Sequence, residues 1–253
     1  MTNDAQRRRI TVDGIAVLDY VDATQARPVA DDVRALAPLD LVVDVVLDRF
    51  ADRWFTSDDD ALTDALLARG ASLVRLGHVF TLPLPRRDGL PRVSTVDLSS
   101  SRIEAIDRSP HDLGELSLRA YPATHVDFET DVADVAADEI RGLLDGSILG
   151  PCIRTASAQV IDRGRLVAAC IVNRAPGTPP WGGPWVSNVF RDPVPAYRGL
   201  GAVLLHRAVT VLEAAGESAL GLAVTEGNPA MDLYRSMGFE HVAGRRKLLI
   251  PAH

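Results

Sequence analysis

Apolar and polar residues alternate over residues 10–17, and Asp13-Gly14 interrupts them with a dipeptide suited to positive φ, which predicts a β-hairpin. Over residues 39–50 the pattern changes to a helical one. Asp40, Asp44 and Asp48 recur every four residues opposite a Val/Leu face, so the carboxylates should line the solvated side of an amphipathic helix. The run Ser57-Asp58-Asp59-Asp60 supplies a cap and an acidic first turn for a second helix over 61–69, and Gly70 supplies its stop. A strand over 73–84 is expected next.

Three prolines, Arg86-Arg87 and Asp88-Gly89 crowd residues 83–91, the composition of a linker. The pattern beyond it predicts helices over 102–121 and 132–144, the second closed by Asp145-Gly146. It then predicts a hairpin of 156–161 and 165–172 around Asp162-Arg163-Gly164. Residues 175–184 are too rich in proline and glycine to pair and should form a loop before a strand at 186–191. Residues 56–84 and 225–250 share the order strand end, capped helix, glycine, strand, with Thr56 and Thr225 each five positions before Ala61 and Ala230. That order fits either a degenerate repeat or two ordinary strand-helix-strand units. The first copy carries no phosphate-binding loop, so it is expected to be catalytically empty.

At 253 residues and 47% apolar content the chain can bury a full core. A formal charge of −7 and the lack of a long Lys/Arg stripe argue against a general nucleic-acid binder. Two cysteines give neither a disulfide framework nor metal-ligand spacing. The N-terminus lacks a signal-peptide apolar core, and no stretch is long enough to span a bilayer. These features predict a cytoplasmic protein without a membrane partner; monomer and homodimer both stay open, since the sequence does not reveal the oligomeric state.

The chemistry concentrates where the strand at 186–191 passes through Tyr197-Arg198-Gly199-Leu200-Gly201-Ala202-Val203 into a long Ala/Val/Leu helix, with Leu204, Ala208, Val211 and Ala215 on one face and Gly216 at its end. The first amides of that helix have no intrahelical partner and sit at the positive end of its dipole, so a pyrophosphate is the natural occupant. Leu204 stands where a dinucleotide fingerprint needs its third glycine, and the Gly-Lys-Ser/Thr of a Walker loop is missing. A second segment, Asn228-Pro229-Ala230-Met231-Asp232-Leu233-Tyr234 running on to Gly238-Phe239, offers a capped helix start and a Gly-Phe exit.

The two segments together resemble the GCN5-related N-acyltransferase (GNAT) superfamily, with its Arg/Gln-x-x-Gly-x-Gly/Ala loop and later Asn-x-x-Ala-x-x-Leu-Tyr-x-x-x-Gly-Phe run. Arg198, Gly201, Asn228, Ala230, Leu233, Tyr234, Gly238 and Phe239 carry the match, which covers about residues 93 to 250. Val203 at the loop's last small position and the long Asp192-Pro193-Val194-Pro195 connection depart from the pattern. The resemblance implies an α/β (α+β) GNAT fold, a mixed central sheet flanked by helices. The working domain would span 93–253, joined by a linker at 86–92 to a smaller, degenerate GNAT-like half-domain at 1–85.

The resemblance also implies acetyl-CoA or another acyl-CoA as co-substrate, a small amine as acceptor and no metal. Val189, Phe190 and Arg191 would pair with the pantetheine arm. Arg198, Gly199, Leu200, Gly201, Ala202 and Val203 would hold the pyrophosphate, while Asn228 and Ala230 would touch the coenzyme. Tyr234 would protonate the departing thiolate. Asn188 stands near the position of the family's usual carboxylate base, so a base is sought in His125, Asp127 and Glu129, which border the expected acceptor pocket. Two other readings remain open, a non-catalytic acyl-CoA-binding regulator and an interaction module built on the Trp181/Trp185 loop. Cys170, in an apolar strand, is expected to be an inert core thiol.

Overall fold

A computed structural model describes residues 7–24, 28–85 and 99–252. In chain order the elements are β1 (Arg7–Val12), β2 (Ile15–Thr24), β3 (Pro28–Ala35), α1 (Leu39–Arg49), β4 (Trp54–Ser57), α2 (Asp60–Ala68), β5 (Ser72–Pro83), β6 (Ser101–Ala105), α3 (Pro110–Ala120), α4 (Ala133–Asp145), β7 (Ala158–Asp162), β8 (Arg165–Ala175), β9 (Gly183–Arg191), α5 (Leu200–Ala214), β10 (Ala219–Thr225), α6 (Ala230–Ser236) and β11 (Glu240–Leu249). They form two compact units, residues 1–78 with 243–253, and residues 79–242.

The contacts divide the chain differently from the expected 1–85 and 93–253 split. The C-terminal strand leaves the unit it was assigned to, because β11 pairs antiparallel with β4, from Arg246 opposite Ser57 to Leu249 opposite Trp54. Conversely β5 lies beside β10, and Phe80, Leu82 and Leu84 are buried in the core of the second unit. The expected linker at 86–92 lies outside the described residues.

In the first unit β1, β2 and β3 run antiparallel, and β3 pairs parallel with β4 at Val29↔Trp54 and Ala30↔Phe55. The opening hairpin turns on Asp13 (φ 49°) and Gly14 (φ 79°), two successive positive-φ residues that match the right-handed twist of the strands. Helix α1 buries Val42, Val43, Val45 and Val46 and leaves Asp40, Asp44 and Asp48 exposed, as its pattern predicts. Asp59 caps α2 by accepting from the Leu62 amide at 3.0 Å. Phe50, Phe55, Leu62, Leu66, Leu248 and Ile250 complete this core.

The second unit contains a mixed sheet in the order β5-β10-β9-β8-β7-β6. Strand β8 is buried over most of its length, which explains the unbroken Leu166-Val167-Ala168-Ala169-Cys170-Ile171-Val172 run of a strand covered on both faces. Helices α5 and α6 share one core with Val167, Ala168, Cys170 and Val172. Helices α3 and α4 share the other with Ala169, Ile171 and Phe190. On α5 the buried stripe runs through Leu204, Leu205, Ala208, Val209 and Leu212; Val211 is only partly buried and Ala215 is exposed. Each fully buried leucine contributes about 1.5–3 kcal/mol of transfer free energy.

Two sequence expectations are corrected here. Residues 102–105 form β6 rather than the start of a helix, because they pair with β7 while Ser109 accepts from the Asp112 amide and Pro110 occupies the first helical turn of α3. The 175–184 loop pairs at both ends, Arg174 with Pro184 and Ala175 with Gly183. None of the described helices is long and apolar enough to cross a membrane.

Candidate coenzyme and acceptor cleft

Strands β9 and β10 pair parallel at Trp185↔Gly221 and Val186↔Leu222. Gly221 is required there, since a Cβ would stand 2.5 Å from the Trp185 ring. Beyond these two pairs β9 continues through Asn188, Val189, Phe190 and Arg191, and a cavity of about 730 Å³ opens beside it. The volume lies in the range of small-molecule and cofactor sites.

One wall is the start of α5. Gly199, its N-cap, has φ +96°, a conformation that a side chain would strain, and no side chain caps the helix. The first intrahelical bond runs from the Val203 amide to the Gly199 carbonyl at 3.1 Å. The amides of Leu200, Gly201 and Ala202 therefore precede the helical ladder, at the positive end of the dipole. A Cβ on Gly201 would meet only Val189 Cγ2, at 3.8 Å, so helix and strand come close together where both line the cavity. Arg191 and Arg198 add cationic side chains to the wall and His206 an imidazole, and among the described residues no carboxylate lines it.

The far wall belongs to α6 and the segment after α3. Tyr234 lines the cavity with its ring edge-on to Phe239 at 5.9 Å, and burial pushes its phenol pKa well up. Asn228 holds the start of α6, its Oδ1 accepting from the Ala230 amide at 2.7 Å, and its Nδ2 donates to the Asp127 carboxylate. His125 lines the cavity, and its Nδ1 accepts from the Asp127 amide at 3.1 Å. The neutral ring thus carries its proton on Nε2, a tautomer assigned from the hydrogen-bond network.

The structure brings Val189, Phe190, Arg191, Arg198, Gly199, Gly201, Ala202, Asn228, Ala230, Tyr234 and His125 to one cavity. It treats the remaining sequence candidates differently. Neither Leu200 nor Val203 lines the cavity, and the Leu200 side chain is buried in the core. Asp127 stands behind the wall, bonded to Asn228, and Glu129 is exposed and does not line the cavity. Trp181 is exposed, while Trp185 packs on Gly221.

Two residues escaped the sequence reading. Tyr121, at the end of α3, lines the same cavity and donates to the Val189 carbonyl at 3.2 Å and to Asn188 Oδ1 at 3.4 Å. Burial raises its phenol pKa strongly, and the neighbouring Tyr234 adds to the rise. Its only sequence signal was a place at the head of the 121–129 segment. Asp192 is buried, accepting from Arg119 Nε at 3.2 Å and Arg165 Nη2 at 2.5 Å, and so ties the exit of β9 to α3 and β8.

No protein-family model and no curated protein sequence matches the chain. Solved structures do. A GCN5-related N-acetyltransferase from Sphaerobacter thermophilus superposes with TM-score 0.65 at 13% identity, over 95% of this chain and 79% of that one. A tandem GNAT protein from the clavulanic acid biosynthesis pathway gives 0.60 at 15% identity, over 94% and 80%. A GCN5-related N-acetyltransferase from Kribbella flavida gives 0.55 at 18% identity, over 98% and 90%. With its mixed sheet, diverging parallel strands and glycine-led helix, the chain has the fold of the GCN5-related N-acetyltransferases.

Proposed function

We propose that the protein is an acyl-CoA-dependent N-acyltransferase that uses acetyl-CoA and a small amine. The observation that carries this reading is the start of α5, uncapped by any side chain, where Gly199, Gly201 and Ala202 line the cavity beside β9. Phosphate oxygens are the natural partners of the amides at such a helix start, and Arg198 and Arg191 supply countercharge. The pantetheine arm then lies along Val189 to Arg191 by strand addition, past Ala230 and Asn228, and brings the thioester to Tyr234.

The amine enters as the free base and attacks the thioester carbon. A C–N bond forms, the C–S bond breaks, and the Tyr234 phenol gives its proton to the departing sulfur. Burial keeps that phenol neutral until the thiolate develops. Of the three base candidates only His125 lines the cavity, and its Nδ1 is already occupied by the Asp127 amide. The amine proton therefore leaves to water, with His125 Nε2–H orienting the acceptor. Tyr121, held by the Val189 carbonyl, shapes the acceptor end.

Residues 7–83 form a degenerate second copy of the fold in this reading, a tandem arrangement like that of one of the similar structures. Its support is the order β3-α1-β4-α2-β5, which repeats as β9-α5-β10-α6-β11, each with a two-pair parallel ladder.

Calorimetric titration with acetyl-CoA, followed by thiol release over a panel of amines, tests the proposal. Binding with turnover supports it, and no binding overturns it. A second reading is favoured by one observation: Asn188, near the usual carboxylate position, is engaged by Tyr121 rather than facing the cavity as a base. That reading, a regulator that senses acyl-CoA, is distinguished by binding without turnover on any amine.

A further inference from the structure

Behind the cleft lies a buried side chain that no ligand in it would touch. Asn173, in β8, is fully shielded from solvent, and its amide makes three hydrogen bonds. Nδ2 donates to the Leu143 and Gly150 carbonyls, both at 2.7 Å, and Oδ1 accepts from the Ser187 hydroxyl at 2.6 Å. Ser187 is the residue by which β9 exceeds its partner, since Ile171 opposes Asn188 but Val172 opposes Val186. An inserted residue bends a strand locally and interrupts its ladder.

This bulge sits at the last registered pair between β9 and β10, Val186↔Leu222, where the cleft begins. It also resets which side chains face the cleft. Val186 belongs to the core shared with α5, Ser187 reaches Asn173, Asn188 meets Tyr121, Val189 packs toward α5 again, and Phe190 enters the core shared with α3. With strict alternation from Val186, Asn188 would face α5 and Val189 would turn away from it, because a slip of one residue exchanges the two faces of a strand.

We infer that Asn173 and Ser187 are positioning residues that fix this bulge, and thereby set the mouth of the cleft and the face that β9 offers to an acyl-pantetheine arm. The inference rests on the acyltransferase reading for its ligand, though not for its geometry. A polar group at this depth must be fully satisfied, and apolar residues of similar size would fill the space without choosing where the extra residue falls. The three bonds of Asn173 make that choice, anchoring the bulge to the end of α4 and to the Gly150 turn.

The test uses the full chain with Ser187→Ala, which removes the hydroxyl, and Ser187→Thr, which keeps it. Two ligands separate the ends of the cleft: acetyl-CoA, and adenosine 3′,5′-bisphosphate, which lacks the pantetheine arm. Ser187→Ala is expected to weaken acetyl-CoA binding about tenfold and to lower turnover by a similar factor, as displacement of a reacting group predicts. Affinity for the bisphosphate should stay within about twofold, equivalent to less than half of a tenfold step in free energy. Hydrogen exchange at residues 186–191 should quicken in Ser187→Ala, and Ser187→Thr should restore both binding and protection. Equal loss of both ligands, or unchanged exchange and binding in Ser187→Ala, overturns the inference. A native chain that binds neither ligand strikes at the acyltransferase reading instead, and the exchange measurement then judges the bulge by itself.

Discussion

Asn228 joins two loops through one amide, its Oδ1 accepting from the Ala230 amide while its Nδ2 donates to the Asp127 carboxylate. The first bond starts α6 and thereby sets Tyr234; the second fixes the segment that presents His125. Asn228→Ala should lose the hydrogen bond that leads into α6, worth about 1 kcal/mol, and lower the thermal midpoint accordingly. It should also raise the KM for the amine more than the KM for acetyl-CoA, because the acceptor segment loses its tether. Thermal melts and steady-state kinetics on the one variant check both effects.

Tyr234→Phe keeps the ring that packs on Phe239 and removes only the proton donor. The expected result is a kcat reduced by about 10²- to 10⁴-fold with the acetyl-CoA dissociation constant nearly unchanged. Single-turnover kinetics and calorimetry measure the two quantities separately.

Gly201→Ala separates binding from stability in the opposite way. The added Cβ has ordinary contact with Val189 Cγ2, at 3.8 Å, so the fold accepts it, and alanine favours a helix by up to about 1 kcal/mol over glycine. The same methyl projects into the space assigned to the coenzyme. The thermal midpoint should hold or rise while acetyl-CoA binding weakens by about tenfold or more. A variant that binds as tightly as the native chain would remove the diphosphate from that position.

High pH should destabilise the protein through three buried acids. Burial raises the phenols of Tyr121 and Tyr234 and pushes the Cys170 thiol up to about 12. Unfolded, a thiol titrates near about 8.5 and a phenol near about 10. Above those values the unfolded chain holds fewer protons than the native one, so stability is fully present below about pH 8 and falls as pH rises. Urea midpoints should be nearly flat to about pH 8.5, decline above it and steepen past about pH 10. Tyr121→Phe should lessen the steep part by about 1.4 kcal/mol per pH unit.

One acetyl-CoA should bind per chain. In the first unit α1 follows β3 after only three residues, its N-cap is Pro38, and Asp40 occupies the first turn where a phosphate would meet like charge. A calorimetric stoichiometry near two would give the first unit a site of its own.

The readable parts of this sequence were those where local chemistry fixes local structure. Asp13-Gly14 and Arg163-Gly164 sit at positive φ in tight hairpins, Gly146 and Gly216 end helices, and the Arg198-to-Val203 loop precedes a long helix. Tyr234, Asn228 and the loop glycines could be named from the sequence because they belong to a spaced pattern. Tyr121 belongs to none, since its value comes from a carbonyl 68 residues away. Glu129 was proposed on proximity in sequence to His125, yet the short turns through Pro122 and His125 leave it on the surface. The partners of β5 and β11 were not legible for a related reason. A proline-rich stretch marks where chain direction is free to change, but which core a strand joins is decided by its partner, and for β11 that partner is β4, far back along the chain.

The pairing of β11 with β4 makes closure of the first unit wait for a strand nearly two hundred residues further along the chain. Leu248 and Ile250 are fully buried among residues that precede position 72, and Ile250 exchanges backbone hydrogen bonds with Asp52 and Arg53. The N-terminal unit therefore cannot close as it leaves the ribosome, although domains ordinarily fold in that order. One wall of its core comes from a strand far along the chain, so loss of β11 would expose the hydrophobic interior of the first unit.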